Sequence, residues 1–217
     1  MKQIWRVLSL AVLVLFLTTT QAPVQAQDDG EEVLAELQGA LEWDDETTGK
    51  VGKALGSFQE NMAAVMAKYE DAEEPDPQAM IGDMKKVKGD YQNQLKDILG
   101  KDGLNAYNEY VDAVLLDMFS DIAEIRLLDL KPVLELTDEQ IAQLRTPVGQ
   151  GYLDMMRTVM QYGDQKMNTR TKIKVGKSVK GIQSDIESAM KKTLTEEQMA
   201  ALEAYKEAQK QEAEGEG

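Results

Sequence analysis

Apolar residues in the middle of the chain recur at alternating intervals of three and four positions, the spacing of one face of an α-helix. The row comprises Leu104, Tyr107, Val111, Val114, Met118, Ile122 and Ile125. Strand patterns are missing, and the chain is rich in Ala, Leu, Glu, Lys, Gln and Met, which favour helices. Proline, which interrupts helices, occurs only 5 times in 217 residues. The sequence therefore predicts an all-α protein, either a helical bundle or a curved helical array.

Two stretches of the chain align with two later stretches, which predicts an internal duplication. Residues 41–71 align with residues 134–164 at an offset of 93 positions, with eight identical pairs. Residues 84–111 align with residues 179–206 at an offset of 95 positions, with six identical pairs. Chance similarity between amphipathic helices is the alternative interpretation. We favour duplication because the matches keep their order through several helices with a single two-residue gap.

The duplication divides the chain into two predicted repeats. The first repeat spans residues 27–123, and the second spans residues 124–210. The periodic run from Leu104 to Leu130 would join them, either as one long helix or as a bent pair of helices. Residues 211–217 are charged and contain glycine, so they are expected to form a disordered acidic tail.

The first 26 residues have the organisation of a secretory signal peptide. Lys2 and Arg6 form a positive start, the apolar run Val7–Leu17 follows, and small side chains precede a cleavage site after Ala26. An uncleaved membrane anchor is the alternative, but the apolar run is shorter than the roughly 20 residues that cross a bilayer. We therefore expect a periplasmic or secreted protein that begins at Gln27 and has no stable membrane insertion after cleavage.

Composition excludes several function classes. The chain contains no histidine and no cysteine, so the commonest general base, the commonest transition-metal ligands and all disulfides are missing. The net charge of −15 becomes −17 when the first 26 residues are removed, because they hold two basic residues and no acidic one. Such a charge disfavours non-specific binding of nucleic acid. We expect a protein that is not an enzyme and has no cofactor and no metal.

Two weaker patterns could still indicate metal binding. Methionine pairs at a spacing of four could hold Cu(I), but core packing or an adaptable binding surface explains them as well. These pairs are Met62 with Met66, Met80 with Met84 and Met156 with Met160. The acidic pairs Asp44/Asp45 and Glu73/Glu74 lack the alternating oxygen ligands of a calcium loop, so we interpret them as solvated charges.

One short motif occurs twice in the second predicted repeat. In its first copy Thr137 is placed to cap a helix, Gln140 can reach back to the backbone N–H of Thr137, and Leu136 can pack on Ile141. This is a capping box combined with a hydrophobic staple. The second copy has equivalent residues at the same spacing: Leu194, Thr195, Gln198 and Met199. In the first predicted repeat, Asp44 keeps a cap, and the segment from Leu99 to Leu104 keeps only the staple positions.

Two L-T-x-x-Q motifs in an exported all-α chain resemble the Spy/CpxP family of periplasmic chaperones and envelope-stress proteins. The matching residues are Leu136, Thr137, Gln140, Leu194, Thr195 and Gln198. The resemblance implies a curved dimer whose concave face holds unfolded clients, so that one duplicated chain could supply both halves. The family's concave face is typically basic, whereas this chain is strongly acidic.

A basic segment interrupts the acidic composition of the second predicted repeat. Between Gln165 and Lys180 there is no acidic residue, whereas the matching connector Glu70–Asp76 is acidic. The basic segment comprises Lys166, Arg170, Lys172, Lys174, Lys177 and Lys180. It could dock on the acidic connector within or between chains, recruit acidic partners, or be only a solvated face.

The sequence therefore predicts a binding protein, and two kinds of partner remain open. One is unfolded or partly folded proteins, bound without ATP by a chaperone. The other is one defined envelope protein, bound by a structural or sensor-type protein. The oligomeric state is not predicted.

Overall fold

A computed structural model of the chain describes residues 25–70, 76–166 and 168–215. All regular structure in these residues is helical, which confirms the predicted all-α class. The helices are α1 (Gln25–Leu41), α2 (Asp45–Glu70), α3 (Pro77–Leu134), α4 (Asp138–Tyr162), α5 (Thr169–Thr193) and α6 (Glu196–Gly215). No helix among the described residues is both long enough and apolar enough to span a membrane.

Helix α3 contains one break, at Gly100, whose backbone has φ 69° and ψ −174°. A positive φ of this kind strains residues that carry a Cβ atom but not glycine. After Gly100 the helix continues without interruption to Leu134, so the run Leu104–Leu130 is one helix rather than a bent pair.

The described residues form two compact units. The first unit runs up to Val111 and also includes Val159–Lys166; the second combines Asp112–Thr158 with the residues after Lys166. This division differs from the predicted repeat boundary at residues 123/124, because both α3 and α4 pass from one unit to the other.

The core of the first unit is rich in aromatic residues. Tyr91 and Tyr107 are buried, and their hydroxyl oxygens lie 2.9 Å apart in a hydrogen bond. Burial raises the pKa of both phenols. Phe58 stacks on Tyr91 with ring centroids 4.7 Å apart, and Trp43 stacks on Tyr107 at 6.2 Å. The other buried residues of this core are Leu37, Val51, Ala54 and Leu95.

The core of the second unit is aliphatic, and it surrounds the L-T-x-x-Q motifs. Both motif leucines, Leu136 and Leu194, are buried in it. The other buried members are Ala123, Leu127, Leu134, Ile141, Leu144, Val148 and Leu202. The ends of α4, α5 and α6 that carry the motifs are therefore packed around one core.

The turns before α2 and α4 have the same backbone geometry. Glu42 and Glu135, which are 93 positions apart, both have positive φ, at 53° and 51°. The next residue closes each turn in the same way: the Trp43 N–H donates to the carbonyl of Gln38 at 3.1 Å, and the Leu136 N–H donates to that of Lys131 at 3.2 Å. These matching turns support the predicted duplication.

Two predictions concern the chain ends: a disordered tail at residues 211–217 and a signal peptide at residues 1–26. The structure continues α6 through Gly215, so residues 211–215 are helical rather than disordered as predicted. The glutamate- and alanine-rich run there has high helix propensity, which outweighs its charge. Residues 1–24 of the predicted signal peptide lie outside the described residues.

Candidate functional site: paired motifs and the surfaces around them

The first motif forms the predicted capping box at the start of α4. The Gln140 backbone N–H donates to the Thr137 hydroxyl oxygen at 3.1 Å, and the Thr137 backbone N–H donates to Gln140 Oε1 at 3.0 Å. Two N–H groups that the first turn of a helix leaves unpaired are thereby satisfied.

The second motif repeats this arrangement at the start of α6. The Gln198 N–H donates to the Thr195 hydroxyl at 3.2 Å, and the Thr195 N–H donates to Gln198 Oε1 at 3.0 Å. Leu194, just before the cap, is also tied to the end of α5, because its N–H donates to the Met190 carbonyl at 2.8 Å. The motif therefore joins the end of one helix to the start of the next.

The structure brings the two motifs together through their glutamines. Gln140 Nε2 donates to Gln198 Oε1 at 2.8 Å, and Gln198 Nε2 donates to Gln140 Oε1 at 3.1 Å. Each amide also donates to a carbonyl just before the other motif: Gln140 to Thr193 at 3.0 Å and Gln198 to Glu135 at 3.2 Å. Each side-chain amide thus donates two hydrogen bonds and accepts two, so all of its hydrogen-bonding positions are used. We call Gln140 and Gln198 the glutamine pair.

The sequence predicted each capping box, but the contact between the two glutamines was missed. A capping box needs only the carbonyl oxygen of the glutamine, so it does not indicate where the amide nitrogen points. One signal for the contact was available. Glutamate would complete the same capping box, so the presence of glutamine in both copies indicates that the amide nitrogen is needed. The first predicted repeat has Thr47 and Gly103 at the aligned positions, so an equivalent pair cannot form there.

We expect Thr137→Ala and Thr195→Ala each to lower the free energy of unfolding by about 1 kcal/mol, because each removes a helix cap. Chemical denaturation would measure the loss. Thr146→Ala, on the exposed side of α4, is a control that removes a threonine without removing a cap. If a motif variant lost partner binding while its unfolding midpoint stayed unchanged, the motif would be a contact site rather than a structural one.

The basic segment is exposed throughout the structure. Lys166 precedes α5, and Arg170, Lys172, Lys174, Lys177 and Lys180 lie in the first half of α5. None of the six forms an ion pair with a carboxylate that the structure describes. Residues 71–75 of the acidic connector lie outside the described residues, so docking between the two segments stays a prediction.

A row of apolar side chains on α3 is exposed in the second unit. Val114, Ile125 and Leu128 are 49%, 59% and 47% exposed, and Met118 is half-buried on the same face. The spacings of four, seven and three positions place these residues on one side of the helix. We call these four residues the α3 apolar row.

A shallow groove between α3 and α4 adjoins the α3 apolar row. It has a volume of about 410 Å³, and Leu128 belongs to both features. The other lining residues are Glu124, Asp138, Ile141, Ala142, Arg145 and Thr146. We call it the acidic groove, because its lining contains two carboxylates and one basic residue.

The pairing of Arg145 explains the electrostatic character of this groove. Its guanidinium group forms salt bridges with Asp121, with Asp117 at 3.1 Å and with Glu124 at 3.1 Å. The hydrogen bond to Asp121 raises the pKa of Arg145 above its usual value. Three carboxylates thus face one cation, and the remaining lining acid, Asp138, is paired with Lys131.

The methionine pairs contribute mainly to packing. Met84 is buried, and the other five methionines of these pairs are half-buried. Their positions agree with the core-packing interpretation, and copper binding stays an untested alternative.

Comparisons with protein families, with characterised proteins and with solved structures find no match for this chain. The resemblance to the Spy/CpxP family therefore depends on the two motifs alone.

Proposed function

We propose that this protein is an exported, non-enzymatic binding protein that acts as an ATP-independent chaperone of the Spy/CpxP type. In this role it would contact exposed apolar segments of partly folded proteins transiently. The α3 apolar row is the observation that carries the proposal, because several exposed apolar side chains on one side of a helix form a patch, and exposed apolar patches mark interaction sites.

The surroundings of the row also favour weak and reversible contact. Exposed acidic residues flank it, including Asp117, Asp121 and Asp129. Such charges keep the protein itself soluble while its apolar side chains remain accessible. The glutamine pair holds α4, α5 and α6 together, so the row is presented on a scaffold that does not have to fold on binding.

A second candidate function is recognition of one defined envelope protein. The concentration of exposed cations in the basic segment favours it, because 6 of the chain's 24 basic residues lie there with no acidic residue between them, although the net charge is −15. Charge complementarity of this kind supplies partner specificity rather than broad client binding.

Suppression of aggregation distinguishes these two functions. We expect the protein, at near-stoichiometric amounts, to reduce light scattering by three unrelated unfolding proteins. Failure with all three would favour the single-partner function.

A matched pair of variants tests the role of the row. Val114→Ser should weaken suppression, whereas Val33→Ser should not, although Val33 is a valine of nearly equal exposure at 47%. Both residues are exposed, so neither change should alter the free energy of unfolding by more than about 0.5 kcal/mol. If the two variants suppressed aggregation equally well, the α3 apolar row would not take part in client binding.

A further inference from the structure

We propose that the first half of α5 binds the acidic groove of a second copy of this chain, so that two copies form a two-fold dimer. The proposal goes beyond the proposed function and does not depend on it. It combines two exposed surfaces of the second unit whose charge and polarity match.

The first surface is the basic face of α5, formed by Arg170, Ile173, Lys174 and Lys177. These residues occupy positions i, i+3, i+4 and i+7, so they share one side of the helix. Ile173 is 55% exposed, although isoleucine is among the residues most often buried. On the opposite side of the same helix, Thr171 and Ile182 are buried in the unit. The basic face is therefore an apolar side chain surrounded by cations.

The placement of these cations is unfavourable for the isolated chain. The first turn of α5 contains no acidic residue, and Arg170 and Lys172 lie near its start. Cations at a helix N-terminus oppose the helix dipole and destabilise the helix. A partner with negative charge would relieve this repulsion.

The acidic groove has the complementary character. Leu128 and Ala142 supply exposed apolar surface, while Glu124 and Asp138 supply carboxylates. Glu124 is paired with Arg145, and Asp138 is paired with Lys131. Arg145 also pairs with Asp117 and Asp121, so four carboxylates share two cations and the groove keeps a net negative charge. The groove therefore suits an apolar side chain that has lysine or arginine beside it, as Ile173 has.

The two surfaces of one chain cannot reach each other. Lys174 lies 19 positions before Thr193, which corresponds to about 28 Å along α5. Thr193 accepts a hydrogen bond from Gln140, near the groove residue Asp138. The basic face and the groove are thus at opposite ends of the unit. Two copies related by a two-fold axis can make both contacts at once, since each presents one surface of each kind.

The experiment uses two charge-reversed variants and sedimentation equilibrium of the full mature chain. One variant carries Arg170→Glu, Lys174→Glu and Lys177→Glu; the other carries Glu124→Lys and Asp138→Lys. We expect each variant alone to be monomeric at concentrations where the parent dimerises. An equimolar mixture should dimerise again, because both contacts then pair opposite charges. Triple replacement of Lys53, Lys96 and Lys101 by glutamate is the control for the first variant, because it changes the net charge by the same amount at exposed sites of the first unit.

Ile173→Ser tests the apolar part of the contact without any change of charge. We expect it to weaken dimerisation by about tenfold, and the exposed position leaves folding intact. A parent chain that stays monomeric up to about 500 μM would overturn the proposal. So would a dimer that neither Ile173→Ser nor the reversal of Arg170, Lys174 and Lys177 weakens, or folded variants that do not associate when mixed. Because no client is present, failure here would leave the proposed chaperone activity unaffected.

Discussion

Gly149→Ala should destabilise the second unit by about 3 kcal/mol, near the upper end of the usual cost of overpacking. A Cβ atom at Gly149 would lie 2.6 Å from Cα and 2.7 Å from the backbone nitrogen of Ser120. Both of these atoms belong to the backbone of α3, so a side-chain rotation cannot relieve the clash. The two helices would have to separate, and the contacts of the buried residues around them would loosen.

The aligned glycine of the first predicted repeat provides a matched control. Gly56 lies 93 positions before Gly149, and a Cβ atom there would meet nothing within 4 Å. Gly56→Ala should therefore stabilise α2 by up to about 1 kcal/mol, because alanine favours helices more than glycine does. Thermal and chemical unfolding of the two variants would measure the difference. A loss below about 1 kcal/mol for Gly149→Ala would show that α3 and α4 do not approach so closely.

Gln140→Glu should lower the free energy of unfolding by about 2 to 3 kcal/mol, although glutamate is a good capping-box residue. The carboxylate keeps an acceptor for the Thr137 N–H but loses both donors of the amide. The Thr193 carbonyl and Gln198 Oε1 would then face negative charge instead of N–H groups. A cap that acted alone would tolerate this change, so the effect measures the glutamine pair.

A matched control separates the glutamine pair from the general cost of an added charge. Gln183→Glu, on the exposed side of α5, is the control and should change stability by less than about 0.5 kcal/mol. Equal behaviour of the two variants would contradict a structural role for the pair.

Local signals in the sequence were sufficient for the helices and their caps. The spacing of three and four predicted a helix from Leu104 onward, and α3 runs through that region. Capping depends on residues only three positions apart, so the boxes at Thr137 and Thr195 could be read directly. The offset of 93 positions likewise matched Glu42 with Glu135, whose backbones proved alike.

The faces of the helices could not be assigned in this way. Val114 and Ile125 belong to the predicted apolar row, yet the structure leaves them exposed and buries Phe119 and Ala123 instead. Periodicity identifies a helix, but which side is covered depends on the helices that pack against it. The exposure of the α3 apolar row and the presence of the acidic groove were therefore not visible in the sequence.

The sequence by itself determined the all-α class, the two capping boxes and the position of the basic segment, because each depends on neighbours along the chain. Only the tertiary structure decided that Gln140 and Gln198 share their hydrogen bonds and that Gly149 lies against Ser120. These contacts join residues 58 and 29 positions apart. No local rule specifies such pairs, since packing around a common core brings them together.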